Sequence, residues 1–187
     1  LPAWKRLLAA LFQSVTTRTA GFNTVNISEM SEASKAIMIL LMLIGGSPGS
    51  TAGGMKTTTF TVLILNAIAI FRSQENAGAF GRRLECHVIK NAATIAMLYF
   101  TMFFCGGIAI SVYEGLPLLD CLYEAASAVG TVGLTLGITP GLHVFSQTVL
   151  IILMYLGRVG GLTLIYAVFS GRSKGNAKLP MEKITVG

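Results

Sequence analysis

Two four-residue stretches, Thr19-Ala20-Gly21-Phe22 and Thr131-Val132-Gly133-Leu134, carry the chemistry this sequence offers. Each sets a hydroxyl two residues before a glycine and follows an apolar segment too short to cross a bilayer as a helix. Backbone carbonyls can replace the water around an alkali cation without a fixed negative charge that would hold it too long. Glycine permits the backbone angles that turn successive carbonyls to one side, and threonine adds a hydroxyl oxygen. Short helices are expected over 3–16 and 120–128, and their partly negative C-terminal ends beside the turns favour a cation. A lone copy would read as an ordinary loop glycine.

The second copy changes that reading. A shift of 112 residues, which lays Thr19 on Thr131, also lays ILLMLIGG (39–46) on IILMYLGR (151–158). Ile39, Leu41, Met42 and Gly45 then meet Ile151, Leu153, Met154 and Gly157. The chain therefore holds two copies of one unit. In the second copy a span over 91–112 leads to an acidic connection, a short helix over 120–128 and a turn over 129–135. A loop with Pro140-Gly141 and a span over 146–169 follow. The first copy has the helix 3–16, a turn over 17–23 and a long interrupted segment over 35–71, without a leading span. A short helix followed at once by a turn reads as re-entrant, and such backbone is tolerated only where it is buried or lines a watery cavity.

Composition supplies the solvent. Of 187 residues, 53% are hydrophobic and 12% charged, against about 25% charged in soluble domains. Mean hydropathy is +0.70. Such a chain has too few charges to cover its own surface, so an all-α integral membrane protein is expected. The net charge of +6 does not cluster with aromatics, which argues against nucleic acid. Its distribution fits topology instead. Arg72, Arg82, Arg83 and Lys90 fall in the 72–90 loop, and Arg172, Lys174, Lys178 and Lys183 in the tail over 170–187. Glu114, Asp120 and Glu124, with Glu29, Glu32 and a single Lys35, fall in the connections between. The positive-inside rule puts the 72–90 loop and the C-terminus in the cytoplasm. Cys86, Cys105 and Cys121 show no metal or disulfide spacing, and His87 and His143 stand alone. No cleavable signal peptide is visible, and the missing initiator Met suggests part of a longer chain.

The glycine-rich stretch IGGSPGSTAGGMKTTT (44–59) interrupts an apolar segment. It is not a phosphate-binding P-loop: Met55 separates Gly54 from Lys56-Thr57, and the spacing fails. Neither is it a free linker, because both flanks are apolar. The repeat sets Gly45-Gly46 on Gly157-Arg158, at similar depth around a shared axis. A charge at the membrane centre costs about 2.5–3.5 kcal/mol and faces an interior cavity with a partner. An unwound loop offers Arg158 free carbonyls and the hydroxyls of Ser47, Ser50 and Thr51. The expectation is an intramembrane loop over 45–54, under the two turns and faced by Arg158. Its residues Gly45, Gly46, Ser47, Gly49, Ser50, Thr51, Gly53 and Gly54 would form a gate with Arg158. Lys56 either binds loop carbonyls or snorkels to the interface; Arg18 is expected to steady the first turn from behind.

TTRTAGFNTVNISEMS, GGSPGSTAGGMKTTTFTVL and MYLGRVGGLTL together resemble the potassium-translocating subunit of the bacterial Ktr system, within the Trk/Ktr/HKT superfamily. The resemblance covers essentially the whole chain. It implies membrane–pore helix–membrane repeats of the potassium-channel-like type, four to a chain around a central pore. This sequence matches the end of the third repeat and all of the fourth. Potassium uptake is the implied function, with the ion held at Thr19 to Phe22 and Thr131 to Leu134 and nowhere else. No cofactor is implied in this chain; sodium is a candidate coupling ion. The implied partners are membrane lipid, a second copy in a homodimer and a cytoplasmic ring of nucleotide-binding regulatory subunits. The implied location is the cell (inner) membrane, as a multi-pass protein. Two rival readings make other demands on the sequence. An accessory subunit of a sodium-translocating ATPase would place carboxylates in the spans, where none is seen. A membrane enzyme would need an acid or nucleophile at membrane depth beside Arg158 or Lys56.

Overall fold

The computed structural model describes residues 2–74, 77–79 and 81–160. The end of the second span (161–169) and the basic tail (170–187) lie outside the described residues. Among the described residues there are six α-helices: α1 (Ala3–Thr16), α2 (Glu32–Leu43), α3 (Thr57–Phe71), α4 (Cys86–Glu114), α5 (Leu118–Val129) and α6 (Val144–Val159). A two-residue ribbon, Gly78–Ala79 against Arg82–Arg83, sits between α3 and α4.

Local chemistry sets the ends. Ser31 caps α2 by accepting from the Ser34 amide, satisfying one of the orphan donors of the first turn. At the far end of α4, Gly115 adopts φ +68° and Pro117 follows shortly, a stop that only glycine makes cheaply. α4 is the one described helix long and apolar enough to cross a membrane, with 29 residues and a mean hydropathy of 2.0 in its most apolar window. It starts at Cys86 and so takes in His87 and Lys90, beyond the 91–112 expected from the uncharged run alone. α6 stops at Val159 because Gly160 takes φ +86°. Of the span expected over 146–169, the described residues show helix as far as Val159.

The short helix α5 is the centre of the molecule, packed by α4, α2 and α6. Its Cys121, Tyr123, Ala125, Ala126 and Val129 are fully enclosed. Gly106 and Gly107 on α4 make this possible. A Cβ on Gly107 would come 2.5 Å from Leu122 of α5, and one on Gly106 2.5 Å from Leu153 of α6. Small residues let membrane helices approach where hydrophobic drive is weak. Lys35 of α2 meets Asp120 of α5 at 2.8 Å, and Glu114 accepts from the amide and the ring of His143 at the α4–α6 corner. By contrast α1 leaves Trp4, Leu7, Leu8, Leu11 and Val15 exposed.

Candidate cation site

α1 and α5 each end at a Thr-x-Gly turn, and the two turns share an unusual backbone. Thr19 has φ +65° and Gly21 +74°; Thr131 has φ +52° and Gly133 +89°. Left-handed backbone at a β-branched residue is an outlier that costs about 1–3 kcal/mol and persists only where surroundings over-determine it. Here it occurs twice, at equivalent positions. Each turn closes with a bond reaching five residues back, from Gly21 N–H to the Thr16 carbonyl and, one place earlier in the repeat, from Val132 N–H to the Ser127 carbonyl.

The turns meet. A Cβ on Gly21 would lie 2.7 Å from the Val132 carbonyl oxygen, and one on Gly133 3.8 Å from Gly21 Cα. No hydrogen bond between described residues ends on the carbonyls of Thr19, Ala20, Gly21, Thr131, Val132 or Gly133. A cavity of about 560 Å³ runs beside the second turn, from Glu124 and Thr139 past Thr131 and Gly133 to Met154 and Arg158. Phe22 points outward and Leu134 inward, 70% and 2% exposed.

Residues 44–56 between α2 and α3 form a closed loop. Gly45 N–H donates to the Met55 carbonyl at 2.7 Å, Met55 N–H to Leu43 at 3.2 Å and Thr57 N–H to Gly46 at 3.2 Å. Its tip, Ser47-Pro48-Gly49-Ser50, is a turn closed by Ser50 N–H to the Ser47 carbonyl at 3.1 Å, with Gly49 at φ +82°, the pattern of a type II turn. The loop abuts the second Thr-x-Gly turn: Gly53 N–H donates to the Thr131 hydroxyl at 3.1 Å. Thr131 would collide with any side chain at 53.

Three cations grip the loop. Arg158 donates to the Thr51 carbonyl. Lys56 donates to Ser50 and Ala52 at 3.0 and 2.6 Å, which resolves its open alternatives in favour of loop carbonyls. Arg18 reaches the Ile44 and Gly45 carbonyls, so it ties the first turn to the neck of the loop. Arg158, Lys56 and Thr51 also line a cavity of about 330 Å³.

Two residues that sequence reasoning passed over complete the site. Thr16 accepts from Phe22 N–H at 2.9 Å and donates to the Phe22 carbonyl at 2.7 Å, pinning the outgoing limb of the first turn. Glu124, counted among the outer loop charges, is 4% exposed and lies within α5. It accepts from the Thr135 and Thr139 hydroxyls and the Leu136 amide, each at 2.8 Å. The internal repeat gave no signal for it, since the shift of 112 lays Phe12, not a polar residue, on Glu124.

Comparison with known proteins fits this geometry. Potassium/sodium uptake protein NtpJ of Enterococcus hirae is 38% identical over 98% of this chain and 42% of its own length. Ktr system potassium uptake protein B of Bacillus subtilis is 36% identical over 97% of this chain and 41% of its own. The chain thus spans about two fifths of these curated relatives. The crystal structure of the potassium transporter TrkH from Vibrio parahaemolyticus shares the fold, with a TM-score of 0.69 at 23% identity over 88% of this chain and 37% of that one. This is the fold of an all-helical membrane protein built from pore-helix repeats, and the family comprises cation transporters rather than enzymes. Residues 1–174 match the family described as TrkH, cation transport protein, and the chain belongs to that family.

Proposed function

We propose that this chain takes part in potassium uptake across the cell membrane, with the ion desolvated at Thr19 to Phe22 and Thr131 to Leu134. One observation carries the reading: two strained turns, equivalent by the repeat, touch each other, and among the described residues the carbonyls of Thr19 to Gly21 and of Thr131 to Gly133 have no donors. Uncapped peptide oxygens facing a cavity are what a dehydrating cation requires. The names of both relatives, as uptake proteins for potassium or for potassium and sodium, support the same ion class.

In this reading the 45–54 loop is the gate. It lies against the second turn through Gly53, and Arg158, held on the Thr51 carbonyl, places a positive charge beside the path. The protein would be multi-pass with its C-terminus in the cytoplasm, as a homodimer on a nucleotide-binding regulatory ring, with sodium as a candidate coupling ion. The basic 72–90 loop, which exposes Arg72, Arg82 and Arg83, is on the side that such a ring would meet. The rival reading as a subunit of a sodium-translocating ATPase is not favoured. Glu124 is a carboxylate at the depth of the turns, but three donors occupy it.

The test is growth of a potassium-uptake-deficient host at low potassium. The complete reading frame should restore growth. Failure to do so by protein shown to be in the membrane would end the proposal.

A further inference from the structure

Resting on the reading above, we propose that Glu124 is the positioning residue that sets how sharply the second turn separates potassium from sodium. The second turn is anchored at its start by α5 itself. Its outgoing limb needs a separate anchor, and Glu124 supplies one by reaching 11, 12 and 15 residues forward to Thr135, Leu136 and Thr139. Thr135 also takes the Gly137 amide, and its hydroxyl oxygen lies 3.0 Å from that of Thr139, so 135–139 folds as one compact body on the carboxylate. The strained Thr131 and Gly133 thus sit in a ring fastened at both ends.

The carboxylate is not itself an ion ligand. Its two oxygens accept three donors at the edge of the cavity, with the residue 4% exposed, and a buried carboxylate so satisfied is stable where an unpaired one is not. Charge-assisted bonds are also about twice as strong as neutral ones, which suits a strut. The first copy shows the contrast. There Gln13, which the shift of 112 sets one place beyond Glu124, is buried with both side-chain polar atoms unpartnered among the described residues, and Thr16 pins Phe22 instead. Among the described residues, no charged side chain of α1 holds the limb that leaves the first turn.

Selectivity should follow from stiffness. Sodium is the smaller ion, and carbonyls free to close in would serve it as well as potassium. A loosened outgoing limb permits that closure.

The test compares initial potassium and sodium uptake by the complete protein at matched membrane levels. The variants are Glu124→Ala, Glu124→Gln and Thr139→Val. Glu124→Ala should lower the potassium-over-sodium ratio about tenfold, the scale of losing charged hydrogen bonds. Glu124→Gln, which keeps one acceptor oxygen, and Thr139→Val, which removes one donor, should lower it less. If Glu124→Ala fails to reach the membrane, the other two decide. Both ions falling in parallel, or an unchanged ratio, overturns the inference. Gly133→Ser in the same assay separates the levels: wild-type uptake and ratio there would mean that the turns do not carry the ion at all.

Discussion

Replacing Gly21 with serine should abolish potassium uptake in protein that still reaches the membrane, and should do so more completely than Gly133→Ser. Both positions have positive φ, and forcing an ordinary residue there costs about 1–2 kcal/mol, about a tenfold effect by itself. Gly21 adds a collision. Its Cβ would stand 2.7 Å from the Val132 carbonyl oxygen, one of the atoms proposed to hold the ion, whereas a Cβ on Gly133 meets nothing closer than 3.8 Å. The new side chain must therefore displace a ligand of the opposite copy. Equal uptake by wild type and Gly21→Ser would remove the first turn from the ion path.

Removing the loop should have the opposite sign. Excision of residues 46–52 leaves Gly45 and Gly53 to be joined, and these two already lie against each other. The cut can close without pulling α2 from α3. It deletes the tip and the carbonyls of Ser50, Thr51 and Ala52 that Lys56 and Arg158 hold. Arg158→Ala removes one tether and the charge beside the path together. Bonds to charged groups are worth about 1.5–3 kcal/mol, so potassium flux should rise roughly tenfold or more in either variant. Unchanged or lower flux in correctly inserted protein would show that Arg158 only pins the loop in place.

The order of short helix, turn and interrupted span was legible because it depends on local features. Apolar length, the register of two Thr-x-Gly turns and a Ser-Pro-Gly-Ser tip are all visible in one dimension. Partners were less legible. Glu124 counts as a solvated charge on composition, because an acid is almost never fully buried unless paired. Its pairing depends on how 135–139 folds back. Arg18 was placed behind the first turn, but its carbonyl partners lie 26 and 27 residues away. Nor could the left-handed φ of Thr19 and Thr131 be foreseen at a residue type that avoids it.

The most direct measurement is anomalous scattering from the complete protein soaked in thallium or rubidium, heavy stand-ins for potassium. A peak in contact with the main-chain oxygens of both turns, between Thr19 and Phe22 and between Thr131 and Leu134, is the expected result. A well-occupied ion elsewhere in the membrane, with those oxygens bare, would contradict the account.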